Sequence, residues 1–266
     1  MRKIFMLSVA CVAMVFVSCS KDDDEGSGTT NKDGKKLVSK IIYNEGDSYD
    51  AEISEYNLTY DSEGNVSEVV ENHTRRNETR KYVSTIKRDG NKVTMTELDL
   101  EDQSKYYTWC TLDDAGRVIK EEDNDNTITN FTYDNSGQVI KITTPDEDDC
   151  NREYSWKQGN ITNKKHWHIN SSGEKFDNSE TIYEYTQHTN NINIDFTWES
   201  WGSFYMDTYF GKTNKNLIKS YTESDGDKYE YEYEFDGDYV STVKEYWTSR
   251  YNGERKLSGT YHIYYK

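Results

Sequence analysis

The chain has 266 residues, a formal net charge of −17, 23 tyrosines and a single proline. Hydrophobic residues make up 33% and charged residues 30%, a balance that shades toward disorder, but the 14% of aromatic residues recur with strand spacing and point to a folded chain. The acidic surplus argues against nucleic acid and anionic lipid as partners, because both carry dense negative charge, and leaves neutral glycans and proteins open.

The chain opens with basic Arg2 and Lys3, then an apolar run from Ile4 to Val17 that is short for a membrane span and sits where a signal peptide belongs. Phe16-Val17-Ser18-Cys19 resembles a bacterial lipobox, with Phe16 in place of the usual aliphatic residue. The resemblance implies lipidation of Cys19 as the first mature residue and attachment to a membrane through that lipid. Cys19-Ser20-Lys21-Asp22-Asp23-Asp24-Glu25 is similar to the acidic export signal of Bacteroidetes surface lipoproteins, which implies an outer-membrane location facing the cell exterior. The division expected is a signal peptide over 1–18, a lipidated acidic flexible tether over 19–36 and a single domain over 37–266.

Beyond residue 36 the chain alternates with the period of strands between turn signals. Three turns are close copies of each other: "TYDSEGNVSEV" at Asp61, "TLDDAGRVIKE" at Asp113 and "TYDNSGQVIKI" at Asp134. Looser copies follow at Gly90, Gly159, Asn190, Gly211 and Gly237. A turn every 20–30 residues or so means one hairpin per repeat. The fold expected is all-β, an antiparallel meander of about 16–18 strands without a helix, closed or nearly closed into a barrel-like shell. The Tyr-Asp-x-x-Gly-x-Val phrase, kept at Tyr60 and Tyr133 and with Leu112 in place of Tyr, resembles the YD repeat of bacterial surface and toxin-shell proteins. With the lipobox and the tether, the whole resembles uncharacterised Bacteroidetes surface lipoproteins with a porin-like β fold. That resemblance implies fold and location and carries no catalytic residue.

A lipid-embedded barrel needs an unbroken apolar outer band. "ETRKYVSTIKR" carries charges in both phases, and Lys141 interrupts "GQVIKITTP". The rings of "YEYEYEF" (Tyr229 to Phe235) are therefore expected to face the interior, with Glu230, Glu232 and Glu234 in water.

The Asp-x-x-Gly turns share one end, and longer connections, among them 72–78, 123–126, 145–150, 169–179 and 198–205, are expected at the other, where binding usually lives. Trp198, Trp201, Phe204 and Tyr205 would form a sugar platform there, or tuck back onto the barrel mouth. Asp123, Asp125, Asp146 and Asp148, in the acidic loops Glu121–Asn126 and Pro145–Cys150, would give Ca²⁺ its hard oxygen ligands, or be a solvated rim; no other cofactor is indicated. His166 and His168 share a strand face without a marked third ligand, and Cys110 and Cys150 fall four strands apart. The 49 carboxylates give a glycoside hydrolase no two to choose. The function expected is a non-enzymatic binding module for a glycan or a protein partner, the alternatives being an accessory role in outer-membrane assembly or a carboxylate-based glycoside hydrolase.

Overall fold

The computed structural model describes residues 36–46, 51–76, 78–144, 151–170, 172–192 and 209–266. Residues 1–35 with Cys19, the loop holding Asp146, Asp148 and Cys150, and Trp198, Trp201, Phe204 and Tyr205 lie outside them. Within them the chain is a run of strands. The first eight are β1 (Val38–Glu45), β2 (Ile53–Tyr60), β3 (Val66–Arg75), β4 (Glu78–Asp89), β5 (Lys92–Asp99), β6 (Lys105–Leu112), β7 (Val118–Asp123) and β8 (Ile128–Tyr133). The second eight are β9 (Val139–Thr143), β10 (Asn151–Lys157), β11 (Asn160–Ile169), β12 (Lys175–Thr189), β13 (Asn216–Glu223), β14 (Lys228–Asp236), β15 (Tyr239–Thr248) and β16 (Arg255–Tyr265).

Every strand pairs antiparallel with its sequence neighbours, and β1 also pairs with β16, Ile41 opposite Ile263. The sheet is a closed barrel of sixteen strands, and closure removes the edges that a wide open meander would expose. Local chemistry sets the hairpins. Asp61 accepts the backbone N–H groups of Glu63 and Asn65 at 2.8 and 2.9 Å while Gly64 takes a φ of 84°. Asp113 with Gly116 and Asp134 with Gly137 repeat that geometry.

The tyrosine of the repeated phrase has its own task. Thr111 pairs with Lys120 and Leu112 with Val118, so Ile119 is an extra residue, a β-bulge at the start of β7. The same shift follows Val38, Val139, Ile218 and Val240. A bulge locally breaks the ladder and leaves a backbone group in need of a partner. At all five positions the carbonyl before the extra residue accepts from an aromatic side chain of the following strand. Tyr133 reaches Val118, Tyr60 reaches Val38 and Tyr233 reaches Ile218, each at 2.6 Å. Tyr265 reaches Val240 at 2.9 Å, and the Trp156 indole N–H reaches Val139 at 2.7 Å. Each of these five bulges is hooked to the strand that follows it.

At the tight-turn end the interior is apolar: Val66, Val69, Val93, Val118, Val240 and Val243 are all buried. This end is also crossed by chain. Residues 209–215 bury Tyr209 and Phe210, the latter 5.0 Å from Phe131 between ring centroids. The Lys212 and Lys215 N–H groups donate to the carbonyls of Gly137 and Gly159, and Asn214 accepts from the Ile161 N–H and the Tyr185 hydroxyl. The crossing makes a floor.

Two expectations change here. β12 pairs directly with β13, so the connection containing 198–205 springs from the tight-turn end and not from the opposite one. The turn signals at Asn190 and Gly211 are the two ends of that single connection, which reverses the parity assumed for the loop. The opposite end, hereafter the mouth, also has shorter connections than expected. β3 and β4 are joined by residues 76 and 77 alone, and β12 begins at Lys175. Asp123 accepts the N–H groups of Asp125 and Thr127 with Asn126 at a φ of 63°, the Asp-x-x-Gly turn again with Asn in the glycine position. Glu121 to Asp123 belong to β7 and not to a loop.

Candidate functional site

Toward the mouth the inward phase of the strands turns polar. On β3, Val69 gives way to Glu71 and His73; on β5, Val93 and Met95 give way to Glu97 and Asp99; on β7, Val118 gives way to Glu121. Register brings these groups together across strands. Tyr56, Glu71, Tyr82 and Asp99 form one row, and Ser84, Glu97 and Tyr106 the next. On the far wall Tyr229 and Tyr231 lie opposite Trp247 and Glu245, and Tyr221 stacks on Tyr229 at 4.6 Å. Tyr43 packs on Tyr261 at 4.5 Å, and a Cβ on Gly259 would run into the Tyr43 ring. The inward rings of "YEYEYEF" are as expected for Tyr229, Tyr231 and Tyr233, whereas Phe235 is 39% exposed beside His188.

The carboxylates here are held at different charge costs. Glu121 is 8% exposed, and its carboxylate is contacted by the Cys110 thiol at 3.9 Å. Burial first, and then the neighbouring Asp123, raise its pKa to about 7. Cys110 is a free buried thiol, pushed well up by burial. Burial and then Glu71 raise Glu97, and burial raises Glu245 despite its bond from Tyr231.

His73 sits in a clamp. Its Nδ1 is 2.8 Å from Glu52 and 3.0 Å from the Ser54 hydroxyl, and its Nε2 is 3.4 Å from Glu71. Hydrogen bonding to Glu71 is the largest influence raising its pKa, and the same histidine lowers that of Glu52. With Nδ1–H donated to Glu52, and Ser54 donating to that same carboxylate at 2.9 Å, the imidazole has no free lone pair facing the serine. Glu52 and Glu71 thus hold the imidazole between two carboxylates, a charge clamp.

Among the described residues no three His, Cys, Asp or Glu side chains gather in a metal-binding group. Asp123 Oδ1 is engaged in its turn. His166 and His168 straddle a register shift, His166 opposite Ser179 and His168 opposite Phe176, with ring centroids 6.3 Å apart. Sequence reasoning also missed an aromatic pair on the outer wall. Trp109, 44% exposed, stacks on Tyr107 at 5.7 Å and 5°. The signal was present, since Thr108, Cys110 and Leu112 form the inward phase of β6 and leave Trp109 on the other face.

Comparisons with known proteins agree with this architecture. The family model of the RHS repeat matches residues 113–148, from the Asp113 turn to beyond β9. The chain is similar in structure to a porin-like protein from Bacteroides uniformis, with a TM-score of 0.65 at 14% identity over 87% of this chain and 99% of that one. A porin-like protein from Bacteroides vulgatus also matches, with a TM-score of 0.29 at 9% identity over 86% of this chain and 99% of that one. No curated protein matches the sequence. The chain thus has a closed β-barrel fold similar to that of the Bacteroides uniformis protein, and its residues 113–148 are similar to the RHS repeat.

Proposed function

We propose that the chain is a non-enzymatic binding barrel displayed on the cell surface, and that it receives a glycan at its mouth. The observation carrying this reading is the split interior: an apolar floor crossed by residues 209–215, and above it a wall of buried and half-buried tyrosines and carboxylates. Tyrosine rings offer flat apolar faces, and carboxylates beside them accept from sugar hydroxyls.

Two further features support display in water. The outer wall carries charge pairs along its strands, including Lys40–Glu55 at 2.8 Å, Lys244–Glu234 at 2.7 Å and Arg255–Glu232 at 2.8 Å. A lipid-facing band has no place for them. The chain enters the barrel at the floor, where Lys36 donates to the Tyr239 hydroxyl. In this reading a flexible tether lipidated at Cys19 joins the barrel on the side of the floor.

Affinity electrophoresis through neutral, acidic and amine-bearing polysaccharides tests the reading. Retardation is expected for the protein and for Trp109→Ala, and is expected to vanish in the double variant Tyr82→Ala with Glu97→Gln. Retardation kept by the double variant and lost by Trp109→Ala would move the site to the outer wall. No retardation by any polysaccharide would remove the glycan.

A further inference from the structure

On the outer flank of β10–β12, near the mouth, lies a cavity of about 390 Å³ lined by Lys165, Trp167, Lys175, Ser179, Glu153 and Glu180, among others. Its donors and acceptors are unevenly used. Glu153 has Lys141 at 3.7 Å, and Glu180 accepts from Asn163. Lys165 makes no ion pair among the described residues, and Lys175 meets only the face of Trp167, its ammonium 3.7 Å from the ring centroid. Lys165 stands in register between Glu153 and Glu180 yet closes no ion pair with either, and Lys175 lines the same cavity.

The second observation is independent of those charges. Trp167 is 4% exposed, and its indole N–H has no acceptor. A buried donor left unmade is expensive, so native structures rarely keep one without a reason. The local cause is visible. Between the pairs His166–Ser179 and His168–Phe176, β12 has two residues opposite Trp167 alone, a bulge that makes room beside the indole. Bulges are over-represented at barrel rims and beside active sites, where they re-aim a side chain.

We infer that this cavity binds a small sugar acid, a hydroxyl-rich body of one or two rings carrying a carboxylate or sulfate. The anionic group meets Lys165, Lys175 and the Trp167 indole N–H, which all lack a carboxylate or carbonyl acceptor. The sugar hydroxyls donate to Glu153 and Glu180, the two acceptors of the same lining, and exchange hydrogen bonds with Ser179. Both signs of charge are used, which a neutral sugar or a bare anion does not achieve. The volume falls within the range of small-ligand sites and admits a body of that size. The site is separate from the mouth, and stands whether or not the mouth binds a glycan.

Titration of the protein with glucuronate, glucose and sodium sulfate, followed by tryptophan fluorescence and isothermal calorimetry, tests the assignment. Saturable glucuronate binding is expected, with glucose at least about tenfold weaker for the loss of the anionic contact, and sulfate at least about tenfold weaker for the loss of the hydroxyl bonds to Glu153 and Glu180. Lys165→Gln and Lys175→Gln are each expected to weaken glucuronate by about tenfold. Lys219→Gln, whose partner is Glu184 on the surface, is expected to leave it unchanged. Glucose binding as well as glucuronate would overturn the charge assignment, and sulfate doing so would reduce the site to an inorganic anion. Equal binding by the Lys165 and Lys175 variants would overturn the location. The mouth variant Tyr82→Ala with Glu97→Gln should bind glucuronate normally, so failure at one site is not mistaken for failure at the other.

Discussion

At the scale of single residues, the tyrosine hooks and the buried Glu121 have consequences of opposite kinds. Tyr133→Phe keeps the ring and removes only the donor to Val118, leaving a buried carbonyl unpaired. The expected loss is about 1–3 kcal/mol, read as a lower urea midpoint with unchanged slope. Glu121 works the other way, because its folded pKa of about 7 lies above the unfolded value near 4.5. A raised carboxyl pKa means that the folded state holds the proton more tightly. Its contribution is complete below pH 4.5 and is lost as the pH rises through 7, by at most about 3 kcal/mol. Glu121→Gln should therefore match the parent at pH 4.5 and exceed it at pH 8, and urea midpoints at the two pH values check the sign. Of these residues, Tyr133 was legible in the sequence as part of a turn phrase. Glu121 was not, because one carboxylate among 49 Asp and Glu residues becomes inward-facing only once the bulge at Ile119 has shifted the phase of β7.

At the scale of elements, the crossing segment 209–215 depends on the absence of one atom. Gly211 has a φ of 86°, and a Cβ there would lie 2.5 Å from the Gly137 carbonyl oxygen and 2.9 Å from the Tyr133 ring. Gly211→Ala should cost about 2–4 kcal/mol, from left-handed backbone strain together with overpacking, and thermal unfolding should show it. Because the displaced ring is that of Tyr133, the double variant with Tyr133→Phe should be non-additive. The hairpins themselves were readable from Asp, Gly and alternation, because that chemistry is local. The crossing was not, since Asn190 and Gly211 give the same turn signals whether they close two hairpins or bound one long connection. Only the direct pairing of β12 with β13 decides between them, and that is a non-local fact.

At the scale of the whole molecule, composition proved a fair guide to the wall and a poor one to the site. Charge in the outward phase follows from sequences such as "YEYEYEF", where glutamates alternate with rings, and the salt bridges of the wall are its outcome. Exposed pairs of this kind contribute little stability each and are weakened by salt, so the barrel rests on its floor and its hooks. The cavity beside Trp167 could not be foreseen from "KHWHI", which reads as a paired-histidine motif and gives no sign of the bulge in β12 opposite Trp167.

The pairing of β1 with β16 also sets an order of events. Every other seam of the barrel joins neighbours in sequence and can form as the chain lengthens, but this one joins the first strand to the last. Its two partners are separated by nearly the whole domain, so loop-closure entropy is at its largest for the final seam. Until Tyr265 arrives opposite Val38, both strands present open edges. The interval before closure is thus the period in which two copies can exchange edges, and a chain cut short before β16 never leaves it.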